Sequence, residues 1–233
     1  MITRIASAFA LIAMLASVAQ VSSAATPAPM QMSKPAASPT PAPPASASEQ
    51  SFIAAATKDL QARFGTTAQA AAAGYFRYTN EDDTGAISWV NTNYWTSDAT
   101  HPSQLWYDVH GKLIGVDYSI LMANSPKAPS MWGISPSRWT TFDQHVHFGI
   151  KTASGIVFGA VGPKSMAKVG GSAANPTAAD IVKLGKAKAV SDVAFVFQFP
   201  AIWDLEFWLV PNPLGAFAEH NPNVIPSANA SSM

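Results

Sequence analysis

Apolar side chains recur at two different periods along this chain, and the change of period falls at Gly74. Before it, Phe52, Ala56, Leu60 and Phe64 stand four residues apart with Lys58, Asp59 and Arg63 off the stripe, which predicts an amphipathic helix over 51–64. Gly65 is the expected stop. An Ala-rich stretch from Thr67 to Gly74 then adds a second helical turn pair, so the domain opens on a short helical hairpin or one kinked helix. After Gly74 the runs become short, aromatic and β-branched. Strands are expected at 75–78, 87–91, 105–109, 113–120, 142–151, 155–161, 193–199 and 202–210. His110-Gly111 reads as a tight hairpin with glycine supplying a positive φ, and Thr177 with Asp180 starts one short later helix over 177–188. The Asn-Pro and Ile-Pro pairs at 212–213, 221–222 and 225–226 predict a wrapping loop. The fold class is therefore α+β: mainly an antiparallel β sandwich or open barrel, with an N-terminal helical segment and one short later helix. The globular domain is expected over 51–226, followed by a flexible tail over 227–233.

The N-terminal region has no such pattern. Arg4 precedes a charge-free apolar stretch over 5–18, which is shorter than the roughly 18–20 residues that cross a hydrocarbon core. Ser22 and Ala24 suit a cleavage site after Ala24, with Ala25 as the alternative. Residues 1–24 are thus expected to be a signal peptide, and the protein to be secreted or periplasmic. From 26 to 48 the chain is nearly all Pro, Ala, Ser and Thr with Lys34 its only charge, so 25–50 is expected to be a disordered, semi-rigid linker. Cysteine is absent, so the domain is held by its core and not by disulfides. Lys and Arg number 14 against 14 Asp and Glu, and the leader carries away only Arg4. That balance offers no basic field for nucleic acid or an anionic membrane. No second apolar stretch is long enough to span a membrane after signal cleavage. Gly170-Gly171 lacks the pattern of a phosphate loop, and no Gly-x-Ser-x-Gly elbow occurs. Nothing in the spacing selects a catalytic residue.

The chemistry rests on two polar stripes. In 142–150, Phe142, Val146, Phe148 and Ile150 share one strand face, and Asp143, His145 and His147 share the other. Two imidazoles at i and i+2 sit close enough to hold one metal, and a neighbouring carboxylate can orient a ring. In 203–208, Trp203, Leu205 and Phe207 lie opposite Asp204 and Glu206, while Asp117 interrupts another apolar strand. If these strands meet, His145, His147 and Glu206, with Asp117 supporting, form a site for a divalent metal: zinc, manganese or iron. Alternating polar residues are also what any half-exposed strand shows, and for Asp204 and Glu206 as a pair a solvated face is the plain expectation. A cupin-type site is excluded, because Lys151 and Thr152 stand where that fold places its glutamate. His101, His110 and His220 lie in turns and are expected at the surface. Of seven tryptophans, Trp95, Trp132 and Trp139 fall in loops and are the candidates for an aromatic platform rather than core.

Four blocks occur in order: Ala72-Ala73-Gly74-Tyr75, Pro102 to Tyr107, Gly111 to Tyr118, and Asn212 to Phe217 with Asn221-Pro222. On them, the chain resembles a family of uncharacterised exported bacterial proteins, over most of 51–224. The resemblance implies export and no assigned activity. It also implies a metal-suited set, since family members carry His, Glu, Glu and His at the positions of Ser88, Ser103, Asp117 and Glu206. Here Asp117 keeps an acid, Glu206 stands in place of histidine, and serine occupies the other two. Either that site is absent here, or His145 and His147 supply the missing ligands. Three readings follow: a module binding a divalent metal or small polar ligand, a metal-dependent hydrolase or oxygen-using enzyme, or an envelope structural or interaction protein. A pocket lined by Trp or Tyr favours the enzyme.

Overall fold

The computed structural model describes residues 40–231. The expected leader, most of the expected linker and the last two residues lie outside them. Helix α1 (Ala47–Phe64) begins ahead of the apolar stripe, inside the segment expected to be linker. The reason is a cap. Ser46 Oγ accepts the Glu49 N–H at 3.2 Å, and Glu49 Oε2 accepts the Ser46 N–H at 2.8 Å. Thr66 and Gln69 repeat the device for α2 (Thr67–Ala72).

Among the described residues nine strands follow: β1 (Phe76–Glu81), β2 (Ile87–Val90), β3 (Gln104–Tyr107), β4 (Leu113–Leu121), β5 (Thr140–Phe142), β6 (His145–Thr152), β7 (Gly155–Val161), β8 (Val193–Phe199) and β9 (Ile202–Trp208). All pairings are antiparallel. One sheet has six strands in the order β1-β2-β3-β4-β9-β5, and the other has three in the order β7-β6-β8. Gly111 turns the β3–β4 hairpin at φ 74°, as its place in the sequence predicts. Between β7 and β8 lie two helices, α3 (Pro163–Lys168) and α4 (Ala178–Lys183). The second is the expected one, capped by Thr177. The first is too short to leave a periodic signal.

Strand alternation sorts the side chains into layers. On one face of the six-stranded sheet Val116, Tyr118, Leu205 and Phe207 pack with Leu60 and Phe64 of α1. Tyr78, Val90, Phe199 and Ile202 pack between the two sheets. On the far side of the small sheet, Val146 and Phe148 meet Met166 of α3 and Ile181 of α4. The molecule is therefore a β sandwich with helices on both outer faces.

The expected strand over 142–151 is in fact two. β5 pairs with β9 at the edge of the large sheet, whereas β6 lies at the centre of the small one. Asp143 and Gln144 make the corner between them, and Phe142 is 41% exposed instead of turned inward. An alternating pattern shows which residues share a face but not which sheet the strand joins, so the switch left no trace in the spacing. Residues 227–231 return to the end of β1: Ser227 donates to the Glu81 carboxylate through N–H and Oγ, and the Ser231 N–H bonds the Glu81 carbonyl. Among the described residues no helix is long and apolar enough to cross a membrane.

Candidate metal centre

The β4–β9 register places Asp117 opposite Glu206 and Ser119 opposite Asp204. Because alternate residues share a face, both strands bury Tyr118 or Leu205 toward α1 and turn their acids toward the second sheet. Asp117, Asp204 and Glu206 each offer a carboxylate oxygen, and these atoms all lie within 4.8 Å of one another. Asp204 is held by Ser119 Oγ, which donates to Oδ1 at 2.5 Å; Ser103 Oγ lies 2.6 Å behind Ser119 Oγ. Asp117 Oδ2 accepts the Trp106 Nε1–H at 3.0 Å. That bond depends on Gly115, since a Cβ there would sit 2.1 Å from Trp106 Cε3. The other oxygen, Asp117 Oδ1, is buried and has no hydrogen-bond partner among the described residues.

Burial drives the Asp117 and Asp204 carboxyls well above the usual carboxylate range, and the neighbouring acids push them further. Glu206 is raised as well, again chiefly by burial. Three carboxylates this close do not all ionise unaided: they hold protons, or they share a cation.

A cavity of about 360 Å³ joins these acids to the histidine strand. His145 Nε2 lies 2.9 Å from His147 Nε2, and His145 Nδ1 lies 2.7 Å from the Asp143 carbonyl oxygen. His147 is buried, and desolvation, with His145 beside it, lowers its pKa to about 3, so the ring is neutral. Tyr78 stands between the two groups. Its ring meets His147 edge-on at 4.7 Å, and its hydroxyl donates to Gln104 Oε1, on the residue paired with Asp117. Asp82 and Glu219 add two more carboxyls to the lining, which includes no Lys or Arg among the described residues.

All four expected ligands, His145, His147, Asp117 and Glu206, line this one cavity. The tight donor group, however, contains Asp204 and neither histidine. Asp204 is only 2% exposed, so the solvated face expected for it is corrected: the small sheet covers that face. Asp143 does orient His145, but through its backbone carbonyl, with its side chain in solvent. Ser88 lines the cavity, and Ser103 supports Ser119. His110 is exposed, and His101 pairs with Asp98 near the surface at 2.7 Å. The three loop tryptophans form no platform. Trp132 stacks on Phe52, Trp95 packs on Phe199 and Trp139 is buried.

Comparison with protein-family models, with curated proteins and with solved structures gave no match, so the functional reading rests on the geometry.

Proposed function

We propose that this domain binds a divalent cation between its two sheets, with Asp117, Asp204 and Glu206 as the donors. The observation that carries the reading is Asp117 Oδ1, a buried carboxylate oxygen without a partner inside a cluster of three acids. An orphaned acceptor of this kind costs about 1–3 kcal/mol, and more when charged. A cation satisfies it and cancels the repulsion among its neighbours. Oxygen donors favour manganese, magnesium or calcium over zinc. Protons compete for the same oxygens, so affinity rises with pH. Export stays part of the proposal and rests on the leader pattern of residues 1–24.

Tyr78 and Trp106 in the lining favour a second reading, a metal-dependent enzyme acting on a small polar molecule in the same cavity. The envelope-interaction reading requires solvated stripes and is the weaker, given that Asp117, Asp204 and His147 are buried.

Titration of the purified protein with Mn(II), followed by calorimetry and thermal melting, tests the proposal. The expected result is one equivalent bound and a raised Tm. Asp117→Asn should weaken binding at least tenfold and yet stabilise the metal-free protein by about 1 kcal/mol at neutral pH, because the amide, unlike the buried acid, needs no proton to be neutral in the folded state. Mn(II) uptake unaffected by both Asp117→Asn and Asp204→Asn would overturn it.

A further inference from the structure

His145 and His147 are not needed to complete the carboxylate group, yet their nitrogens are more tightly organised than surface histidines are. The Asp143 carbonyl can only accept, so His145 Nδ1 carries a proton and Nε2 is the nitrogen left to offer a lone pair to a metal. That nitrogen lies 2.9 Å from His147 Nε2. Packing fixes both rings. His145 stacks on Phe199 at 4.4 Å and 20°, while His147 stacks on Phe197 at 5.6 Å and 19° and takes the edge of Tyr78. A backbone carbonyl on one imidazole nitrogen, with the other aimed into a cavity, is the arrangement that readies a histidine for a metal.

We propose that His145 and His147 form a second metal site in the cavity, a two-imidazole site for a tetragonal ion of the Cu(II) or Ni(II) type. The separation selects the geometry. With metal–nitrogen bonds of about 2.0–2.1 Å, two ligands at a tetrahedral angle stand about 3.3 Å apart, whereas two cis ligands at a right angle stand about 2.9 Å apart. The observed 2.9 Å matches the second spacing, and a rotation of the rings at this separation turns both Nε2 atoms from each other toward the ion. Square or tetragonal nitrogen and oxygen sites are those of Cu(II) and Ni(II), and imidazole suits both. Without metal, the same distance is spanned by one hydrogen bond between the two Nε2 atoms; when the ion binds, the proton leaves Nε2 and the ring that held it carries its proton on Nδ1 instead, so both ligands are neutral imidazoles. The remaining positions face a cavity lined by carboxyls and open to solvent or a small anionic or hydroxylated ligand. The chain has no cysteine, so no thiolate competes for the ion.

Electron paramagnetic resonance of the whole protein with one equivalent of Cu(II) tests the site. The expected spectrum is tetragonal with coupling to two imidazole nitrogens. His145→Ala, at a half-buried position, should leave one coupled nitrogen and weaken Cu(II) binding at least tenfold. The His145→Ala/His147→Gln pair should lose both couplings while circular dichroism shows the fold intact. Asp117→Asn should weaken Mn(II) binding at least tenfold and leave the two-nitrogen Cu(II) signal in place, so failure of the carboxylate site and failure of this one are told apart. A wild-type spectrum without two coupled nitrogens, or one that persists in the double variant, overturns the proposal.

Discussion

At the scale of single residues, the site depends on a glycine that touches no ligand. Gly115 lies between Ile114 and Val116 on β4, and the missing side chain lets the Trp106 indole lie against the strand and reach Asp117. Any Cβ there meets the ring, not the tip of a flexible chain, so Trp106 must move as a body. Trp106 also packs edge-on against Trp208 at 5.4 Å, which limits where it can go. Gly115→Ala should therefore destabilise the fold by roughly 1–3 kcal/mol. It should also free Asp117 Oδ2 from the indole, leaving both carboxyl oxygens unpartnered. Urea denaturation followed by tryptophan emission measures the first effect, and Mn(II) titration the second. Unchanged stability would mean that the indole has room to tilt.

At the scale of elements, period identified most of the strands and the first helix, because amphipathic helices and half-buried strands leave different spacings. It was silent where one strand's two faces are both covered. His147 and Phe148 are neighbours on β6 and both are buried, one toward Tyr78 and the other toward Met166, so neither face reads as solvent. The same silence hid Asp204: the pattern 203–208 shows two acids on one side of a strand, and only the second sheet shows that this side is closed. The pairing of Asp117 with Glu206 is likewise a fact of register that two strands about ninety residues apart cannot announce. The Pro-rich segment holds another such fact. Ala42 N–H bonds the Leu214 carbonyl at 2.8 Å, and Arg138 Nη2 donates to the carbonyls of Pro43 and Pro44. Ala42, Pro43, Pro44 and Arg138 wall a second cavity of about 840 Å³, whose lining shares Glu206 and Glu219 with the first. A chain beginning at Ser46 should fold, keep its equilibrium affinity for Mn(II) and release the ion several-fold faster into a chelator in stopped flow. An unchanged release rate assigns residues 40–45 to packing alone.

At the scale of the whole molecule, buried ionisable groups pull stability in opposite directions with pH. The three cavity carboxyls have raised values in the folded state, so their contribution is greatest in acid and is lost as pH rises, unless a cation takes the place of the protons. Glu49 has the opposite sign. Burial alone would raise its carboxyl, but the Arg138 guanidinium at 3.1 Å and the N–H groups of Ser46 and Ser135 outweigh it and hold the value down at about 2. Its contribution is present above an ordinary glutamate value of 4.5 and is lost as pH falls toward 2. His147, held near 3, acts in the same sense from pH 6.5 downward, because only the unfolded chain takes up its proton there. The neutral variant Glu49→Gln separates these contributions, since it touches neither the acids nor the histidines of the cavity. In chemical denaturation at pH 6 it should be less stable than wild type by on the order of 3 kcal/mol. That gap should narrow steadily below pH 4.5 and close near pH 2, while the stabilisation produced by Mn(II) at pH 8 is the same in both proteins. A gap that stays constant across the acid range would mean that Glu49 acts through shape and hydrogen bonding, with its charge contributing nothing.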